Sequence, residues 1–324
     1  MDRRHVLRCL AAATATPLMG AHAQDAAFPS RPIRIIVASA PGALTDHATR
    51  LYAEKMSTVL KQPVVVENVA GAGSLIAVRQ LIKSAPDGYT LLTGANTLVT
   101  QPHLSPRSGY GLKDLSGVGE MVRSPSLVVV GGGSKYRRFA DIVADARERP
   151  GRVTYASGGI GTTSHLPVEL LARQAQISLT HVPYKGNAVA IPDVVAGRAD
   201  FMMGTPTGFV ELMKGGQLRP MAITAEKRSP KFPDVPTLKE LGYADATYEI
   251  WIGMLGPAGM PKPVLDTIAR AMEFARNHPD IVRQLDVSGQ VISDVRTPAQ
   301  FDAVLRADDA RFKKLIADLG IVAD

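Results

Sequence analysis

A chain of 324 residues, 45% hydrophobic and 21% charged, has room for two domains of ordinary size and the make-up of a globular protein. Its formal charge is +7, and the lysines and arginines are dispersed among acids, which argues against nucleic acid as a partner and suits small anions. The single cysteine, Cys9, lies in the leader, so the mature chain is expected to hold no disulfide, thiolate metal site or cysteine nucleophile.

Residues 1–23 read as an export signal. Arg3, Arg4 and Arg8 form a basic start, a stretch of apolar and small residues follows, and Ala21-His22-Ala23 supplies a cleavage site before Gln24. Arg3-Arg4 followed by Val6-Leu7 loosely fits the twin-arginine route. The alternative, a membrane anchor, is disfavoured because the apolar stretch falls short of the roughly 18 residues a span needs. The mature chain is therefore expected in the periplasm, where ATP and NADH are absent. That setting favours capture, hydrolysis or surface recognition, with no cofactor and no metal.

Beyond the leader, β-rich runs alternate with amphipathic ones, which predicts an α/β fold with mainly parallel strands. Strands are expected at 33–38, 63–67 and 89–93, with helices at 44–60 and 73–83. A strand at 127–130 ends in three glycines, and the alternation then restarts: strand 153–156, helix 162–174, strand 177–181, helix 188–196, and strands 199–203 and 221–224. The restart predicts a second lobe, 126–224, inserted into a first made of 24–125 and 225–324. The segment 227–236, rich in proline and lysine, reads as the returning linker, and the basic cluster 135–138 as a solvated loop cap. A strand at 250–255 and helices at 261–277 and 297–319 complete the chain. In the last helix Phe301, Val304, Leu305, Phe312, Leu315, Ile316 and Leu319 share one face, expected to pack on the first lobe.

Two loops stand out because each follows a strand and opens a helix. The first holds Pro41, Gly42, Ala43, Thr45 and Asp46; the second holds Ser157, Gly158, Gly161, Thr162, Thr163 and His165. Helix starts carry unpaired N–H groups, and small residues let an anion approach them. In open α/β sheets, ligands bind beyond the carboxyl ends of the strands. One such end per lobe suits a short organic acid held across a cleft. The plainer alternative is that both are tight turns with good caps, since Thr45, Asp46, Thr162, Thr163 and Ser164 are ordinary capping residues. Ala72, in a glycine turn at 71–74, Asn96 and Thr97 after the third strand, and Gly204 and Thr205 after a strand of lobe two complete the candidate walls. Tyr184 is a candidate cleft wall and Lys185 a candidate counter-charge.

Catalysis finds little support. No Gly-x-Ser-x-Gly elbow is present, and the histidines lack metal-ligand spacing. Ser164 and His165 are adjacent, but neighbours on a helix do not face each other. A hydrolase built on them is the weakest alternative.

Several long motifs then match a known family in the right order. They are FPSRPIRIIV from 28, APGALTD from 40, QPVVVENVAGAG from 62, APDGYTLL from 85, YASGGIGTTSHL from 155, HVPYKG from 181, KRSPKFPDVPTLKELGY from 227 and GPAGMPKP from 256. The chain resembles the substrate-binding proteins of tripartite tricarboxylate transporters, the Bug receptor family, over nearly all its mature length. The resemblance implies a two-lobed type II periplasmic-binding-protein fold. It also implies a carboxylate held, often through ordered water, between the loops that here run from Pro41 to Asp46 and from Gly158 to His165. Such a protein acts as a monomer without turnover, delivering a small organic anion to membrane transporter subunits. A periplasmic sensor signalling to a membrane kinase would use the same site. Three positions depart from the family pattern. Ala43 stands for a second glycine, Gly73-Ser74-Leu75 for Gly-Gly-Asn, and Gly204 for an acid.

Overall fold

The computed structural model describes residues 28–105, 107–287 and 290–322, so the expected leader and its cleavage site lie outside the described residues. Two sheets form two lobes. In lobe one, β1 (Ile33–Val37), α1 (Leu44–Leu60), β2 (Val64–Asn68), α2 (Leu75–Ile82), β3 (Thr90–Ala95) and α3 (Thr97–Leu104) follow in turn. Then β4 (Leu115–Pro125) leads across to lobe two. There β5 (Leu127–Gly131), α4 (Phe139–Glu148), β6 (Thr154–Ser157), α5 (Leu166–Ala175), β7 (Thr180–Pro183), α6 (Asn187–Val195), β8 (Phe201–Gly204), α7 (Val210–Lys214) and β9 (Leu218–Ile223) follow. The chain returns through β10 (Glu249–Pro257), α8 (Lys262–Arg276), α9 (Pro279–Val287), β11 (Val291–Ile292) and α10 (Pro298–Leu319).

Both lobes use one plan. Lobe one has strand order β11-β4-β10-β3-β1-β2 and lobe two β7-β6-β8-β5-β9. In each, three strands are parallel, with the first of the three in the middle: β1 between β2 and β3, β6 between β7 and β8. The neighbouring strands β10 and β5 then run antiparallel to β3 and β8. The order reverses at the central strand, and the carboxyl ends beside such a reversal are where open sheets bind ligands.

Apolar clusters cover both faces of each sheet. In lobe one, α1, α8 and α9 pack on one face, around Tyr52, Met56, Met272 and Leu285. On the other, α2, α3 and α10 bury Leu81, Leu98, Trp251 and Phe301. In lobe two, Phe139 and Leu171 pack on one face and Val194 and Phe209 on the other. The stripe expected along the last helix divides its loyalties. Phe301 and Leu305 enter the lobe-one core, whereas Phe312, Leu315 and Ile316 join Leu104, Leu166, Tyr248 and Ile250 in a cluster between the lobes. Leu319, at the end of the stripe, is exposed. The ion pair Arg173–Asp318 spans the same seam at 2.5 Å.

The return crossing lies later than the sequence suggests. Val235 and Phe232 pack with the α6 side of lobe two, and Leu238, Leu241, Tyr243 and Ala246 with its α4 side. The main chain agrees: Leu238 N–H donates to Ile223 O at 2.9 Å, extending the edge of that sheet. Burial of these apolar residues makes 225–246 part of lobe two rather than a linker of lobe one. The chain crosses at 125–126 and again at 247–249, where Tyr248 N–H donates to Thr224 O and Glu249 pairs with Pro125. The basic cluster is also less solvated than expected, because Tyr136 is buried and its hydroxyl donates to Asp145 at 2.6 Å.

Candidate functional site

Every candidate residue follows the carboxyl end of a parallel strand: β1, β2 and β3 in lobe one, β6, β7 and β8 in lobe two. The side chains sort into two groups, those spent on holding the loops and those left open.

In lobe one the loop after β1 is held by Asp46. Its carboxylate accepts from Gly42 N–H at 2.8 Å, from Asn68 Nδ2 at 2.9 Å and from Arg50 Nε at 2.9 Å. Burial alone would raise its pKa, but the bonds from Arg50, Gly42 and Asn68 outweigh burial and hold it below the ordinary aspartate value. Asp46 therefore shapes the loop and stays ionised. Ala43 occupies the N-cap of α1 and offers no side-chain acceptor. The N–H groups of Leu44, Thr45 and Asp46 find no acceptor among the described residues, and neither does the half-buried Thr45 hydroxyl a partner. Pro41 and Gly42 are exposed beside them.

Two further elements of lobe one flank this opening. The turn 71–74 is left-handed throughout, including the non-glycines Ala72 at φ 47° and Ser74 at φ 80°. Each such residue costs about 1–2 kcal/mol. Ser74 Oγ lies 3.5 Å from Ala38 O and 3.4 Å from Thr97 Oγ1, joining the turn to the other two loops. Asn96, in contrast, is fully committed. Its Oδ1 accepts Trp251 N–H at 3.0 Å and its Nδ2 donates to Asp308 at 2.9 Å, so it anchors β10 and α10.

The loop after β6 is held from within. Ser164 Oγ accepts Gly158 N–H at 2.9 Å and donates to Asn187 Oδ1 at 2.7 Å. Thr162 Oγ1 donates to Gly159 O at 2.7 Å, and His165 Nδ1 accepts Gly161 N–H at 2.9 Å. Ser157 Oγ accepts Gly159 N–H at 3.0 Å and lies 2.6 Å from His181 Nε2. What remains open is Thr163, with both its hydroxyl and its N–H, together with the N–H groups of Ile160 and Ser164; none has a partner among the described residues. Asn187 was missed by sequence reasoning, although Gly186-Asn187 at a strand-to-helix turn is the signal that marks it. Gly158 must be glycine, because a Cβ there would lie 2.6 Å from Asn187 Oδ1 and 3.0 Å from its N.

Tyr184 and Lys185 part company. Tyr184 donates its hydroxyl to Asp193 at 2.5 Å, itself paired with Arg198, while Lys185 is exposed. Thr205 precedes a short 3-10 turn at 206–208 and its hydroxyl has no partner among the described residues. A Cβ at Gly204 would meet the Phe209 ring at 2.8 Å, so the acid seen there in the resembled family has no room in this chain.

The α3 helix connects the two loops. Its first residue, Thr97, contacts Ser74 beside the first loop. Its last, Leu104, sits against the second, where a Cβ on Gly161 would lie 2.3 Å from Leu104 Cδ1. Eight residues at 1.5 Å rise give about 12 Å between those ends.

Chemically, the arrangement offers main-chain amides and neutral hydroxyls, with positive charge at the exposed Lys185 and at Arg50, which is paired with Asp46. Each helix start behaves as roughly half a positive charge, a site for an anion. Ser164 and His165 are not arranged as a nucleophile and its base. Ser164 Oγ and His165 make no hydrogen bond to each other, since Asn187 and Gly161 already occupy them. Burial and the adjacent His181 also push the His165 pKa down to about 3. The alternative of a hydrolase on Ser164 and His165 fails on that geometry.

The sequence matches the profile described as "Tripartite tricarboxylate transporter family receptor" over residues 48–321. Protein BugT of Bordetella pertussis is 30% identical over 99% of this chain and 99% of its own. Among solved structures, MatC from Rhodopseudomonas palustris with bound malate is 26% identical, with a TM-score of 0.76 over 89% of this chain and 100% of its own. R. palustris Rpa4515 with adipate is 27% identical, with a TM-score of 0.77 over 91% of this chain and 99% of its own. The chain thus belongs to the tripartite tricarboxylate transporter receptors, a family of periplasmic solute-binding proteins rather than enzymes.

Proposed function

We propose that the mature protein captures a small dicarboxylate between its two lobes and delivers it to a membrane transporter. The observation that carries this reading is a pair of open amide sets, one in the first turn of α1 and the other in the turn that leads into α5. The amides of Leu44, Thr45 and Asp46 in one lobe, and of Thr163 and Ser164 in the other, have no partner among the described residues, and each set adjoins an open threonine hydroxyl. Each set accommodates one carboxylate, whose charge it meets with dipoles already oriented. The α3 helix, about 12 Å long, runs from Thr97 beside Ser74 to Leu104 beside Gly161, and a short chain with an acid at each end suits a cleft of that scale. Malate and adipate, held by two relatives, have that form.

The solute carries no ammonium group in this reading. An amino acid needs an anionic partner for its ammonium, and the position at the end of β8 where the resembled family has an acid is Gly204, closed by Phe209. Asp46, the acid nearest the first loop, is already neutralised by Arg50. Once bound, a solute bridging both lobes favours the closed arrangement by its differential affinity, with the motion taken up at 125–126 and 247–249.

Calorimetry of the mature chain against malate, adipate, citrate, aspartate and glutamate tests the proposal. One dicarboxylate is expected to bind tightly and unchanged, with aspartate and glutamate far weaker. Binding of an amino acid in preference to every plain acid, or of no acid at all, would overturn it.

A further inference from the structure

Behind the second loop lies a stack of rings whose polar atoms are all aimed. Tyr155 of β6 lies 4.8 Å from His181 of β7, and His181 lies 4.0 Å from His165 at the head of α5, with planes within 14° of parallel. His165 Nδ1 accepts Gly161 N–H. A ring nitrogen that accepts an N–H carries no proton, so the imidazole proton sits on Nε2. That atom lies 3.9 Å from Glu169 Oε1, which also accepts the Tyr155 hydroxyl. His181 Nε2 meets Ser157 Oγ, and Ser157 in turn accepts Gly159 N–H. The two stacked imidazoles thereby control two amides of one loop, His165 directly and His181 through a serine.

We propose that His165 is a positioning residue for solute binding, acting through the Gly161 N–H, and that its acceptor nitrogen rather than its ring is what the site requires. The inference rests on the second loop being half of the solute site. The loop has a limited set of amides. Those of Gly158, Gly159 and Gly161 are tied inward to Ser164, Ser157 and His165, while that of the exposed Ile160 and those of Thr163 and Ser164 stay open, the last two facing the solute in this reading. Gly161 has φ 74°, a conformation only glycine takes readily, and the bond to Nδ1 is what holds it there. Without that acceptor the Gly161 amide is a further open donor, the turn relaxes, and the two solute amides lose their alignment.

The stack also protects the acceptor. The titratable groups facing His165 are Glu169 on its own helix, Tyr155 on β6 and His181 on β7. Two rings 4.0 Å apart resist sharing positive charge, and both imidazoles are buried, which lowers the pKa of each. His165 thus stays neutral, with Nδ1 free, across the whole range in which carboxylates are ionised.

Two substitutions separate the acceptor from the ring. His165→Asn places an amide oxygen close to where Nδ1 stood; His165→Phe keeps the ring and the stack but has no acceptor. Binding of adipate and of malate is measured by calorimetry at pH 7 on the mature wild type and both variants, with melting temperatures recorded. Nitrogen-15 NMR of the solute-free wild type reads the His165 ring and the Gly161 amide. The expected results are an unprotonated Nδ1, a loss of about tenfold or more in affinity for the phenylalanine variant, and retention within about threefold for asparagine. A role in packing alone gives the opposite order, with phenylalanine tolerated and asparagine weak, and that order would overturn the inference. So would a protonated Nδ1 in the wild type. If the wild type binds neither acid, the receptor reading is what fails, and the Nδ1 and Gly161 signals still decide the role of His165. The same signals decide it if a variant does not fold.

Discussion

The Asp46 carboxylate accepts the main-chain N–H of Gly42 at 2.8 Å, closing the turn that opens α1. A residue that looks like a ligand group in the sequence is thus an internal clamp. It absorbs the Gly42 amide and leaves those of the first helical turn open.

Removing this clamp is expected to cost both stability and binding. Asp46→Ala strips an acceptor from Gly42 and partners from Asn68 and Arg50 in one step, which is worth about 1–3 kcal/mol. Urea denaturation should show that loss, and calorimetry a weaker affinity. The same residue sets a pH dependence. Its pKa in the folded state is depressed, so its contribution is fully present above the unfolded aspartate value, near 3.9, and is lost as pH falls through the lower folded value. Asp46→Asn should flatten that acid limb of the stability curve; an unaltered limb would show that Asp46 is not the group responsible.

The open threonines should behave in the reverse manner. Thr45→Val and Thr163→Val are close in shape and remove hydroxyls that bond to nothing in the folded chain among the described residues. Each is expected to weaken solute binding about tenfold while leaving the melting temperature nearly unchanged. If both bind as tightly as the wild type, the hydroxyls do not touch the solute.

Gly158→Ala probes the coupling between the second loop and α6. The added methyl meets Asn187 Oδ1 at 2.6 Å and its main-chain N at 3.0 Å, so either the loop or the helix start must move. A marked fall in affinity is expected with only a modest fall in stability, about 1–3 kcal/mol for overpacking of this kind. Wild-type affinity would mean that the position of this loop does not matter.

Asn96→Ala should separate structure from recognition. Trp251 N–H loses its acceptor, and the half-buried Asp308 keeps the Trp251 Nε1 donor, at 2.7 Å. The expected cost is about 1–3 kcal/mol in unfolding free energy, with a smaller effect on binding. A variant that melts normally yet binds poorly would return Asn96 to the solute site.

Much of this was legible in the sequence, for reasons particular residues make clear. Helix α1 is legible because its apolar residues repeat at helical spacing from Leu44 to Leu60 and the strand before it is apolar except for Arg34. The two loops could be found because each follows a strand and begins a helix. Strand β4 could not, since Gly117 and Gly119 interrupt its pattern. Those glycines are there for packing: a Cβ on Gly117 would meet Asp302 at 2.6 Å and one on Gly119 would meet Met272 at 3.1 Å. Helix α3 was hidden by Pro102 and by its short length. The segment after β9 misleads because its prolines and lysines outweigh, in composition, the six apolar residues that decide where it packs. Side-chain roles were the least legible. Asp46, Asn96, Ser157, His165 and Tyr184 are all polar residues at strand ends, and only tertiary partners from elsewhere in the chain show that they hold the loops.

A crystal structure with the tightest-binding dicarboxylate tests the central claim most directly. One carboxylate should accept from the amides of Leu44, Thr45 and Asp46, and the other from those of Thr163 and Ser164, either directly or through one water. An acid held by one lobe alone, or seated away from both helix starts, would contradict the account.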